Sequence, residues 1–229
     1  MKRLILIAVS LLCLTTFVSC NNDKDDPIIE DQTPTVDPEL YKNSTFLKNL
    51  TDRDIDSVID EIEAEGVFYA GGAPIDSEIY LHLFANDEMS DAYMLYEAKE
   101  VIFMAARFHG LEYREDGFEL FEIYNSEPDH MLAGVEYEYV GFIEDNNGND
   151  FDFPCSDSFM NYYNENKDDI YSCMAIWDTE LEQISPLIQY NDVYMPMIIY
   201  INKPITPPSM LEEGVAKTLS ETITMSIKK

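Results

Sequence analysis

Basic residues are scarce in this chain. Lys and Arg number 14 against 45 Asp and Glu, a formal net charge of −31. A surface of that sign repels phosphate backbones and anionic head groups, which excludes nucleic acid as a partner. The depletion is deepest between Arg114 and Lys203, where Lys167 is the one basic residue and twenty Asp and Glu are present. Such a stretch reads as a solvated acidic face, or as a surface for a cationic partner or divalent cations. Catalytic signatures are also missing: there is no GxSxG, no HExxH, no Walker glycine loop and no dinucleotide fingerprint. His82, His109 and His130 share no ligand spacing. His82, inside an apolar run, reads as a satisfied core or edge histidine. With so many carboxylates, no glycosidase-like pair stands out, and no residue is assigned a catalytic role. Cysteine is limited to Cys13, Cys20, Cys155 and Cys173. The N-terminal apolar run, Leu4–Val18, is broken by Ser10, Thr15 and Thr16 and falls short of the ~20 residues that span a bilayer.

What is present argues for a folded protein. Hydrophobic residues make up 46% and aromatics 12%, more than a disordered acidic chain carries. The stretch from Thr45 onward is long enough for one domain that buries most of its apolar surface.

The N-terminus has a layout of its own. Lys2 and Arg3 precede the apolar run, and Phe17-Val18-Ser19 leads into Cys20. These residues resemble a bacterial lipoprotein signal. The resemblance implies cleavage before Cys20, diacylglycerol on its thiol and an acyl chain such as palmitate on its new amine. Asn21-Asn22-Asp23-Lys24-Asp25-Asp26 in turn resembles the acidic export signal of Bacteroidota-type surface lipoproteins. That implies a lipid anchor in the outer membrane with the domain displayed outward. Residues 1–19 are thus a signal peptide. Residues 20–44, with Pro27, Pro34 and Pro38, are an acidic tether, and 45–229 a single globular domain. A flexible chain of the tether's length spans ~25–30 Å end to end. Loss of Lys2 and Arg3 leaves twelve basic residues against 45 acidic, a mature charge of −33. With Cys13 removed and Cys20 lipidated, Cys155 and Cys173 are left outside the cytoplasm, eighteen positions apart. They are expected to form one structural disulfide, whose loop closure contributes ~3 kcal/mol. The other reading is two thiols.

In the folded part, Thr51-Asp52-Arg53-Asp54 predicts the start of a helix carrying Ile55, Val58, Ile59 and Ile62, stopped by Gly66. Val67–Ala70, ending at Gly71-Gly72, and Ile79–Phe84 read as strands. Ser90 to Gly110 reads as a long central helix, Phe118–Tyr124 as a strand, and Ser156 to Ile188 as interrupted helix. Met197–Ile201 is β-rich, and Pro207-Pro208-Ser209 opens a final helix with Leu211, Val215 and Leu219. Asn146-Asn147-Gly148 is a hairpin signal. A three-residue loop pairs Ile143 with Phe151 and sets Val135, Tyr137, Tyr139, Ile143, Phe151 and Phe153 on one face. Glu136, Glu138, Glu144, Asp150 and Asp152 share the other. That face reads as solvated, or as a calcium site on Glu144, Asp150 and Asp152, although the spacing is not that of an EF-hand.

Strand Ile79–Phe84, helix Ser90–His109 and strand Phe118–Tyr124 would form a βαβ unit. Tyr194-Met195-Pro196 then leads into the run Met197–Ile201 and a terminal helix. This order resembles the thioredoxin fold. The expected class is therefore α/β, with the acidic hairpin and the disulfide-bearing helical segment inserted before Pro196. Ala85–Met89, where a redox member carries CxxC, contains no cysteine, so oxidoreductase chemistry is not implied.

These readings together predict a surface lipoprotein that binds a ligand or docks on an outer-membrane protein complex without catalysis. The alternative is an enzyme, either a carboxylate-based hydrolase or a degenerate thioredoxin-like protein. Buried acids with shifted pKa in a cleft would mark the enzyme; an open aromatic patch, or none, would mark the binder.

Overall fold

The computed structural model describes residues 41–207 apart from Met89. Cys20, the export signal and the helix expected after Pro207 lie outside the described residues. The fold is mixed α/β, built on one nine-stranded sheet in which every pairing is antiparallel. Helix α1 (Lys42–Leu50) starts inside the stretch assigned to the tether. A 3-10 turn at Ile55–Ser57 leads to the short α2 (Ile59–Glu63). Strands β1 (Phe68–Pro74), β2 (Ile79–Ala85), β3 (Asp91–Ala98) and β4 (Val101–His109) follow, and then helix α3 (Arg114–Met131). Strands β5 (Glu138–Asp145) and β6 (Asp150–Phe153) precede helix α4 (Ser156–Asn166). Strands β7 (Ile170–Asp178), β8 (Glu182–Asn191) and β9 (Val193–Asn202) complete the sheet, whose spatial order is β1-β2-β3-β4-β9-β8-β7-β5-β6.

The expected βαβ unit is not formed, and with it goes the thioredoxin-like order. Ser90–His109 is not a helix but the hairpin β3–β4, in the register Met94↔Ala106. Its apolar character on all sides comes from burial on both faces of the sheet's interior, which a central helix and a central strand share. The turn is Lys99-Glu100, both at positive φ (53° and 66°), with no Gly or Asn to announce it. The expected strand Phe118–Tyr124 lies inside α3, where Phe118, Phe121 and Tyr124 recur every three residues and are all buried. Of the helical stretch Ser156–Ile188, only α4 is helical. Beyond it β7 alternates, with Ile170, Cys173, Ala175 and Trp177 turned inward.

Helix α2 and its 3-10 entry occupy the predicted place. The Asp54 carboxylate accepts from Ser57 N at 3.0 Å, and Val58 and Ile62 are fully buried. The acidic hairpin also has the predicted register. Ile143 faces Phe151, Glu144 faces Asp150, and Gly148 takes φ 77° in the loop. Asp145 N donates to Asn149 O at 3.0 Å, closing the loop Asn146-Asn147-Gly148. Glu136, Val135 and Tyr137 precede the strand and do not share its faces.

All four helices feed one core with one face of the sheet: Leu47, Ile62, Phe121 and Phe159 meet Tyr93, Trp177 and Ile198. A second apolar cluster, on the strands alone, gathers Leu81, Met94, Phe103, Met104, Met197 and Ile201.

Candidate functional site

Among the described residues, the Glu61 and Asp145 carboxyls are held below their ordinary range. Glu61 is held low by its hydrogen bond to Arg53. Asp145 is held low by backbone and side-chain hydrogen bonds from Asn149 and Asn147 in the hairpin loop. A catalytic proton donor needs the opposite shift.

The three acids expected at a calcium site share the outer face of the hairpin. Glu144 lies opposite Asp150, and Asp152 lies opposite Phe142. Glu144 Oε2 accepts from Ser172 Oγ at 3.3 Å. Among the described residues no group of three or more His, Cys, Asp or Glu side chains that could hold a metal ion is found.

Cys155 and Cys173 are not bridged to each other. The register explains this. Phe153 on β6 faces Gly141 and Cys173 on β7 faces Ile143, on opposite sides of β5. Two strands at ~4.8 Å and two residues at ~3.4 Å set Phe153 and Cys173 roughly 12 Å apart. Cys155 lies two residues further along the direction of β6. A disulfide needs Cα atoms within about 7 Å. Cys173 is buried, which pushes its thiol pKa well above the ordinary value. Cys155 Sγ donates to Ser158 Oγ at 3.3 Å, at the start of α4.

Trp177, the single tryptophan, is fully buried, and its indole N–H donates to Asp129 Oδ1 at 3.2 Å. The open aromatic surface lies instead at the free edge of the sheet. Every residue of β1 except Gly71 is exposed. Phe68 is 58% exposed, Tyr69 44%, and Tyr80 and Ile75 37% each. Gly72 sits at the centre of this patch. A Cβ there would lie 2.8 Å from Leu81 O and 2.9 Å from the Tyr69 hydroxyl, and would strike the Tyr80 ring. Glycine in a strand marks such a close approach.

Beneath the rings runs a polar chain. His82 Nε2 is 2.7 Å from Glu97 Oε2, and His82 Nδ1 is 3.4 Å from the Tyr69 hydroxyl. With Nε2–H donating to the carboxylate, Nδ1 is left to accept from the phenol. His82 is buried and its ring packs 4.8 Å from that of Tyr80. It is a satisfied edge histidine, as read from the sequence. Burial, then the neighbouring Tyr80 and Glu97, push the Tyr69 pKa upward. Tyr69 therefore keeps its proton and serves as a hydrogen-bonding group rather than a nucleophile.

A second pair of exposed rings, Tyr171 and Tyr190, meets edge to face at the far end of β7 and β8, with the half-buried Tyr194 of β9 beside Tyr190. Those strands are paired on both sides, so only side chains are on offer there. The β1 patch alone combines exposed rings with an unpaired strand edge. Composition pointed to a surplus of tyrosine, but which rings face water depends on strand order. The one local signal was Gly71-Gly72 beside Phe68-Tyr69. No family model matches this chain, and no curated protein or solved structure is significantly similar to it.

Proposed function

We propose that this chain is a lipid-anchored protein of the outer-membrane surface that binds a ligand or docks on a partner without transforming it. The contact surface is the β1 edge with Phe68, Tyr69, Ile75 and Tyr80. The single observation that carries the reading is this exposed strand, whose residues are nearly all open to solvent. Soluble domains blunt or cover such edges, and a large exposed apolar patch marks an interaction site. The anchor rests on the residues around Cys20 and the export signal Asp23-Lys24-Asp25-Asp26. Three acyl chains at ~0.8 kcal/mol per buried methylene would hold it permanently.

The line-up of Tyr69, His82 and Glu97 would suit an enzyme only if Tyr69 lost its proton easily, and its surroundings act in the other direction. Two measurements test the reading. Protease added to intact cells should remove the protein, and Cys20→Ser should release it from the membrane fraction. Tyr69→Ala with Tyr80→Ala should leave folding intact and abolish co-purification of whatever the wild type retains from the cell envelope. Protease resistance on intact cells would refute surface display. Unchanged co-purification would refute the role of β1.

A further inference from the structure

Resting on the reading of β1 as the contact surface, we infer that its occupant is an extended polypeptide segment of a partner protein, bearing Lys or Arg. Three observations converge on that chemistry.

The first is backbone geometry. Strand β1 ends the sheet, and its outer edge pairs with no other strand among the described residues. An unpaired edge offers N–H and C=O groups at the spacing of another strand, which an extended chain satisfies and a compact ligand does not. Pro74 supplies no N–H and the register shifts between Tyr69 and Gly71, so pairing is confined to the short stretch from Phe68 to Gly72 and must follow that irregularity.

The second is charge. From Asp54 to Ala98 the chain has twelve Asp and Glu and no Lys or Arg. This stretch builds α2, β1, β2 and β3, so acids predominate around the patch; Arg53 and Arg107 offset Glu61, Glu65 and Asp91, and Lys99 follows Ala98 opposite Ile79. Asp76 and Glu78 are exposed in the turn next to Pro74 and Tyr80. An anionic or strongly acidic segment is repelled here, and a cationic one is steered in.

The third is the rings. Elsewhere the protein sets its own cations over aromatic faces: Arg107 over Tyr93, Arg114 over Phe118, Lys167 over Tyr163 and Lys48 over Tyr200. Tyr69 and Tyr80 have no Lys or Arg near them in sequence, and the His82 ring packs beside both, 6.1 Å from Tyr69 and 4.8 Å from Tyr80. His82 itself engages Glu97 Oε2 at 2.7 Å, so an incoming ammonium or guanidinium would meet the exposed parts of the two phenols, with this carboxylate close by.

The test uses the full mature chain in detergent and three probes. They are an alternating Arg/Val octapeptide, the same peptide with Glu for Arg, and a neutral glucose hexamer. The Arg peptide should bind and the Glu peptide should not. Binding should slow hydrogen exchange at the amides of β1. Tyr69→Ala with Tyr80→Ala, and separately Glu97→Gln, should each weaken it tenfold or more. Both tyrosines are exposed, so the double variant is checked for an unchanged melting curve. Glu144→Gln with Asp150→Asn, remote from β1, should leave binding unchanged.

Equal binding of the Arg and Glu peptides, lost with Tyr69 and Tyr80, would overturn the cationic assignment and leave β1 as the contact surface. Sugar binding lost in the double variant, with no peptide binding, would overturn the polypeptide assignment in the same way. Arg-peptide binding that survives the double variant and the remote pair alike would mean that net charge, not β1, attracts it, and both readings would fail.

Discussion

Removing the carboxylate of Glu127 should loosen the helix that joins the domain to its tether. Glu127 lies on α3, is 1% exposed, and reaches across to the start of α1. Its Oε2 accepts from the Ser44 backbone N–H at 2.6 Å, and its Oε1 accepts from Asn43 Nδ2 at 2.6 Å. Helix α1 has no side-chain cap of its own and no acid in its first turn. Glu127 therefore does from α3 what an N-cap does locally: it satisfies an orphan donor and sets a negative charge at the positive end of the helix.

Glu127→Ala leaves the Ser44 N–H buried without an acceptor, a cost of ~1–3 kcal/mol. The lost charge–dipole attraction adds ~0.3–2 kcal/mol in a partly buried setting. The expected destabilisation is about 3 kcal/mol, which at ~2–4 °C per kcal/mol for a domain of this size lowers the melting midpoint by roughly 6–12 °C. Glu127→Gln keeps an oxygen acceptor for the Ser44 N–H but loses the charge and sets an NH2 against Asn43 Nδ2, so its cost should be about 1–2 kcal/mol, below that of Glu127→Ala. Ser44→Ala keeps the backbone N–H and removes a hydroxyl that makes no hydrogen bond among the described residues, so it should be near neutral. The assay is thermal unfolding of the three variants by circular dichroism. Equal losses for Glu127→Ala and Glu127→Gln would refute the capping argument. So would a large loss for Ser44→Ala.

Other expectations follow from contacts in the same core. Gly141→Ala sets a Cβ 2.6 Å from Phe159 Cδ2, and Phe159 is fully buried against Phe121, Tyr139, Phe153 and Tyr163. It should cost ~1–3 kcal/mol in a denaturant melt, and a neutral result would mean that α4 shifts freely. His109 is half-buried, and its desolvation lowers its pKa despite Asp91 nearby, while Arg107 lowers it further. The unfolded chain then takes up the proton first, so stability should be full above the ordinary value of 6.5 and fall as pH drops below it. His109→Gln should flatten a melting-point profile between pH 7 and 5, and an unchanged slope would refute the assignment. Protein unfolded without reductant should titrate Cys173 as a thiol. A titre of zero would mean that the strand register around β5 is not the one described.

Legibility followed local chemistry. The acidic hairpin was readable because only one loop length sets Gly148 at positive φ and keeps Ile143 and Phe151 on a common face. The β3–β4 hairpin was not readable, because its turn is made by Lys99 and Glu100 in a backbone region that favours Gly and Asn. Without a break, twenty apolar-rich residues read as a helix. The same ambiguity hid α3, whose Phe118, Phe121 and Tyr124 look strand-like when Gly117 and Pro128 suggest interruptions. The candidate site was hidden for a different reason. Tyr69, His82 and Glu97 are thirteen and fifteen positions apart, and they meet only through the registers of β1 with β2 and of β2 with β3. His82 alone says nothing of its partners.

The scarcity of basic residues has a structural consequence that bears on the surface. Arg107 holds Asp91 through two hydrogen bonds and reaches Asn43 of α1. Arg114 donates to the carbonyls of Lys167 and Ile170. Lys167 pairs with Glu122, and Lys203 pairs with Asp178 at 2.7 Å while donating to Thr179 O. Lys48 joins α1 to Glu182 on β8 at 2.9 Å. These cations each link separate elements of the fold, so few are left to neutralise the outer carboxylates. Around β1 acids outnumber bases: Arg53 is engaged with Glu61, and the next basic residue in the chain is Lys99, after Ala98, which pairs with Ile79. An exposed aromatic edge in a mainly acidic field discriminates among partners before contact. It slows association of acidic chains, including other copies of this one, and speeds that of basic chains. The acidic surround thus protects an open strand from pairing with its own kind while leaving it available to a partner of opposite charge.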